Sequence, residues 1–110
     1  MKQYVIDEIR PQDRPAIQAD LDARWGPADL GGIYWIPLDP GLLNPVQADH
    51  VDCQPHCVAL ELEADRLVCE LLVRTRSRMR CDCIGYADAA QRAWLMERVD
   101  AIFDRLQLKT

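Results

Sequence analysis

Residues 58–73 alternate apolar and polar side chains on either side of a two-residue interruption, and no other feature limits the fold so strongly. Val58, Leu60 and Leu62 alternate with Ala59, Glu61 and Glu63; beyond Ala64-Asp65, Leu67, Cys69, Leu71 and Val73 alternate with Val68, Glu70, Leu72 and Arg74. Period two belongs to a strand with one buried face. A two-residue turn at Ala64-Asp65 sets Leu62 against Leu67, Leu60 against Cys69 and Val58 against Leu71, so every strongly apolar position shares one face. A second turn at residues 75–77 returns residues 78–84 as a third strand. Met79 is then expected beside Val73, Cys81 beside Leu71 and Cys83 beside Cys69.

The apolar face of such a meander needs a cover. Leu95, Val99, Ile102 and Leu106, with Trp94 and Phe103 alongside, form a broad helical stripe, and Asp88 followed by Gln91 supplies a capping box at its start. Ile17, Leu21 and Trp25 form a second stripe, with Asp13 or Arg10 as N-cap and Gly26-Pro27 as the stop. Residues 3–9 (QYVIDEI) and 33–38 (IYWIPL) are rich in strand formers, the latter ending near Pro37 and so expected at or near an edge. Pro37, Pro40, Pro45 and Pro55 forbid a long regular element across residues 37–57, leaving a loop or a string of single turns. The expected class is α+β: a mostly antiparallel sheet of four to five strands with two helices packed on one face. A chain of 110 residues has room for one such core, hence one domain over residues 1–110.

Hydrophobic residues at 49% and charged residues at 28% exclude a disordered or low-complexity chain. No apolar run reaches the ~18 residues of a membrane span, and the first ten residues lack the apolar core of an export signal, so a cytosolic protein is expected. The net charge is -5, which argues against gripping nucleic acid or anionic lipid over the whole surface. The excess is local: residues 1–57 carry four basic and nine acidic side chains, and the rest nine of each.

Five cysteines are an odd number, so at least one thiol is free. The densest group of metal-capable side chains is His50, Cys53, His56 and Cys57, which offers the nitrogen and sulfur donors of a zinc site from one loop. A stronger site would join Cys53 and Cys57 to a second pair brought in by the fold, and Cys81-Asp82-Cys83 is the other pair. Cys69, Cys81 and Cys83 share the phase of Leu67, Leu71 and Met79, so their simplest role is to fill space beneath the last helix. A thiol enzyme at Cys53 or Cys57, with His50 or His56 as base, is opposed by Asp49 and Asp52, which disfavour the thiolate.

Arg74, Arg76, Arg78 and Arg80 gather around one hairpin tip and suit an anion or a carboxylate-rich partner; charge that keeps a strand edge soluble is the plainer role. Tyr34 and Trp35 face opposite ways, so one is core and the other is free to line a shallow pocket with His50 or His56. Gly31-Gly32 lacks phosphate-loop spacing. Ile9-Arg10-Pro11, Asp13 and the helix that follows resemble the opening of N-acetyltransferases over about the first twenty residues, but the Gly-containing loop those enzymes use for coenzyme A is missing, and no family is assigned. The expected function is a small binding or interaction module without catalysis, working through residues 37–57 and the adjoining sheet surface on a protein or small molecule. An exposed sheet edge also admits a homodimer. Zinc binding and thiol catalysis are the alternatives.

Overall fold

The computed structural model describes residues 1–29 and 31–109. It shows an antiparallel sheet of six strands with three helices, the α+β class expected. The strands are β1 (Gln3–Ile6), β2 (Ile33–Pro37), β3 (His56–Leu62), β4 (Leu67–Glu70), β5 (Leu72–Thr75) and β6 (Gly85–Tyr86). The helices are α1 (Arg14–Trp25), α2 (Pro45–Asp49) and α3 (Ala89–Leu106). None of them is long and apolar enough to cross a membrane.

β3 is the centre of the sheet. One edge pairs with β2, and the other pairs first with β4 and then with β5. The hairpin register is the one the alternation dictates, Leu60 opposite Cys69 and Leu62 opposite Leu67. The expected pairing of Val58 with Leu71 does not form. Cys57 stands opposite Arg74, two residues later than an unbroken register would give. The break is at Leu71, whose N–H donates to Lys2 and whose carbonyl accepts from Ala87, both on the outer side. A slip of two residues preserves the alternation, so Leu71 and Val73 still face the core.

The strand expected over residues 78–84 is also absent. Its place beside β4 is taken by β1, which pairs Tyr4 with Cys69 and Ile6 with Leu67. Only the short stretch beside β5 is left, and Gly85–Tyr86 fills it, Val73 opposite Gly85. Residues 76–84 therefore leave the sheet as an irregular segment, and Met79 is 97% exposed where it was expected to be core.

Both long helices cover one face. Ile17 and Leu21 of α1 and Leu95, Val99, Ile102 and Phe103 of α3 join Tyr34, Ile36, Val58, Leu60, Leu67, Cys69 and Leu71 in one buried cluster. The helix starts differ in how they are capped. Asp88 accepts from the Gln91 N–H while the Gln91 side chain accepts from the Asp88 N–H, the reciprocal box read from sequence. Asp13 caps nothing with its side chain and pairs with Arg10 at 2.8 Å instead.

Residues 37–57 are a string of single turns, as the prolines require. A 3₁₀ turn (Pro40–Leu42), α2 and a second 3₁₀ turn (Val51–Cys53) follow one another into β3.

Candidate metal centre

His50 ends α2 and begins the turn over Val51–Cys53. Its N–H donates back to Val46 and Gln47, and its carbonyl accepts from the Cys53 N–H at 3.0 Å. Side chains three apart eclipse in a 3₁₀ turn, so the imidazole of His50 and the thiol of Cys53 stand on the same side. The irregular segment supplies a second turn, closed by the Ile84 N–H on the Cys81 carbonyl at 3.0 Å, with Cys81 and Cys83 at its corners.

The two turns meet. The ligand atoms of His50, Cys53, Cys81 and Cys83 all lie within 4.8 Å of one another. His50 Nδ1 is 3.1 Å from Cys81 Sγ, and Cys53 Sγ is 3.9 Å from Cys81 Sγ. Zinc bonds of about 2.3 Å to sulfur and 2.0 Å to nitrogen give tetrahedral edges of about 3.5–3.8 Å, a span that the 4.8 Å grouping of the four donors can enclose. The chain matches no protein-family model, no curated protein and no solved structure. What the cluster does is therefore argued from its chemistry.

Three thiols and one imidazole form a soft donor set, suited to zinc rather than to calcium or magnesium, which take oxygen. The Cys81 thiol is held down to about 7, first by the Cys83 backbone N–H and then by hydrogen bonds from the Cys83 thiol, His50 and Cys53. Cys83 moves the other way, to about 12, because it is buried and because it gives its hydrogen bond to Cys81. Arg78 lines the cleft beside the cluster together with Asp49 and Asp52.

Of the four ligands expected from one loop, the structure brings His50 and Cys53 to the cluster and leaves His56 and Cys57 in β3. The reason is the strand itself: pairing of His56 with Thr75 and Cys57 with Arg74 holds both in the sheet. Both are buried, and burial lowers the His56 pKa, so its ring is neutral; neither ring nitrogen has a partner among the described residues. Burial pushes the Cys57 thiol up and its S–H points at the Arg74 carbonyl, the opposite of an activated nucleophile. Cys69 is the space-filler it was expected to be, fully buried in the core and pushed up to about 12 by burial. Cys81 and Cys83 are not, because the strand that would have carried them to the core face does not form.

Tyr34 is core, and Trp35 lines a pocket as expected, but its companions are Arg76, whose guanidinium lies 5.5 Å from the ring, and Asp29, which accepts from the indole N–H at 3.1 Å. Arg74 pairs with Glu70 at 3.1 Å. Arg80 is exposed in the irregular segment.

One local signal bears directly on the centre. Asn44-Pro45-Val46-Gln47 is a capping box with proline in the first turn, and both of its hydrogen bonds form. It places α2, and hence His50, within the proline-rich stretch. The Gln47 side chain then reaches the Cys83 carbonyl, at 3.4 Å, and ties the two turns together from behind.

The thiols should differ sharply in reactivity. In chelator-treated protein at pH 7.5, iodoacetamide is expected to modify Cys81 at least about a hundredfold faster than Cys69, since one thiol is partly exposed and half ionised near neutrality and the other is buried and protonated. The Cys81 rate should rise as pH passes upward through about 7 and level off above it. Peptide mass spectrometry reads both rates, and a Cys69 that keeps pace with Cys81 would contradict this burial pattern.

Proposed function

We propose that this chain is a zinc-stapled binding module in which His50, Cys53, Cys81 and Cys83 hold one structural zinc ion. The observation that carries the reading is the convergence of four nitrogen and sulfur donors, from two turns separated by the whole β3–β4–β5 hairpin, within 4.8 Å. All four positions of a tetrahedral ion are then taken by protein, which suits a structural centre; a catalytic one keeps a position open for water or substrate. Zinc would fasten residues 76–84, which have little backbone pairing of their own, to the turn at Val51–Cys53. Both segments border the exposed face through which such a module would meet its ligand. Free thiols as ligands fit a reducing compartment such as the cytosol.

Protein purified without chelator is expected to carry about one equivalent of zinc by atomic spectrometry. Cobalt substitution should give the visible spectrum of tetrahedral thiolate ligation. Cys53→Ser and Cys83→Ser should lose most of the metal, and Cys57→Ala, outside the cluster, should keep it. Protein that neither carries zinc as purified nor takes it up from a buffered solution at micromolar free metal would refute the proposal, and so would equal loss in Cys57→Ala.

A further inference from the structure

A second cavity, of about 380 Å³, opens on the sheet face away from the helices, between Trp35 of β2, Leu72 and Arg74 of β5, and the irregular segment at Arg76, Arg78 and Ile84. Its size falls among small-molecule sites, which run from about 300 to 1,000 Å³. Its chemistry is divided. Trp35, Leu72 and Ile84 give one apolar part, and three guanidinium groups give the other.

The charges do not cancel. Glu70 pairs with Arg74. Asp29, at the rim, is engaged by the Trp35 indole and by the Gly31 and Ile33 N–H groups, with the indole bond first among the causes that hold its carboxyl below the usual range. Among the described residues neither Arg76 nor Arg78 has a carboxylate at salt-bridge distance. The wall also holds a donor in need of an acceptor, because Arg74 Nε is buried without a hydrogen-bond partner. Asp29 stays an anion that feels the charge of Arg76, so three guanidinium groups face two carboxylates and one cation is in excess. With the orphan donor this favours an anionic ligand rich in acceptor oxygens, and a phosphomonoester offers three.

We propose that this cavity binds an aromatic phosphomonoester, its phosphate held by Arg74, Arg76 and Arg78 and its ring by Trp35, Leu72 and Ile84. The site goes beyond the zinc reading, and no wall residue is one of the four metal ligands. Because Arg76, Arg78 and Ile84 lie in the segment that zinc would fasten, binding is measured on zinc-loaded and on chelator-treated protein, which separates failure of the cavity from failure of the metal centre.

Titration calorimetry of the purified full chain with phenyl phosphate tests it. Saturable binding with Kd below about 1 mM is expected. Inorganic phosphate should bind at least tenfold more weakly and phenol not measurably, because each offers half of what the cavity recognises. Replacing both Arg76 and Arg78 by alanine should weaken phenyl phosphate at least tenfold. Arg80→Ala removes the same kind of charge from outside the cavity, and it should change affinity by less than twofold. A phosphotyrosine peptide separates the two sources of this chemistry: equal or weaker affinity keeps the ligand a free small molecule, and tighter binding would overturn that source. The site itself is refuted if phenyl phosphate shows no saturable binding, if inorganic phosphate binds as well, or if Arg80→Ala costs as much as the double variant.

Discussion

Stripping zinc from the proposed centre is expected to lower the thermal midpoint by about 10–15 °C while leaving the sheet and both long helices folded at room temperature. A ligand at a thousandfold excess over its Kd stabilises the state that binds it by about 4 kcal/mol, and a chain of this length moves by about 4 °C per kcal/mol. Zinc retained by the thiols of the unfolded chain trims the difference. The fold persists because the buried apolar cluster contains Cys69 but none of Cys53, Cys81 and Cys83. Loss should be local instead: faster amide exchange at residues 50–53 and 76–84, with far-ultraviolet circular dichroism unchanged. Cys83→Ser should reproduce the lowered midpoint, and a chelator should then have no further effect. A metal-stripped protein that melts within about 2 °C of the loaded one would show that the cluster holds nothing that matters to stability.

The sequence was most legible where a face and a turn constrain each other. The two residues Ala64-Asp65 between Glu63 and Arg66 admit only a tight turn, and the requirement that Leu60 and Cys69 share a face then leaves one register. The stripes of Ile17 and Leu21, and of Leu95, Val99 and Ile102, point to the same core for the same reason. Residues 78–84 show where the pattern misleads. Met79, Cys81 and Cys83 alternate with Arg78, Arg80 and Asp82 as well as any strand in the chain, yet a strand also needs a free edge. The edge beside β4 is occupied by β1, and that competition is decided by a segment more than sixty residues away. The metal centre was half legible for a related reason. His50 and Cys53 are local partners, three apart in a turn, whereas their meeting with Cys81 and Cys83 depends on the path taken by a segment that fails to join the sheet. Placing Cys81 and Cys83 in a strand assigned them to the core and left His56 and Cys57 to complete the site.

The largest effect of a single side chain outside the apolar core is expected at Gln91, which is fully buried. Its amide N–H₂ donates to the Leu42 carbonyl and to Gln47 Oε1, each at 2.9 Å, and its Oε1 accepts from the Asp88 N–H. Gln47 repeats the arrangement at α2, accepting from the Asn44 N–H and donating to the Cys83 carbonyl. Two capping boxes thus stand back to back, and through them the start of α3 holds the turn that carries Cys83. Gln91→Leu keeps the volume but removes three hydrogen bonds at once. With each stranded buried group costing about 1–3 kcal/mol and some regaining water, a loss of about 3 kcal/mol is expected by denaturant unfolding. Gln91→Glu separates hydrogen bonding from packing, because it sets a carboxylate oxygen against two carbonyl oxygens in the same space. Those neighbours favour the protonated acid, so the carboxyl has a raised pKa in the folded state; the variant should be most stable below the unfolded glutamate value of about 4.3 and lose stability as pH rises from there. Gln47→Leu and Gln91→Leu together should cost less than their sum, since each single change already strands part of the other's network. Strict additivity, or a loss below about 0.5 kcal/mol in Gln91→Leu, would mean that the paired boxes form without holding the two turns in place.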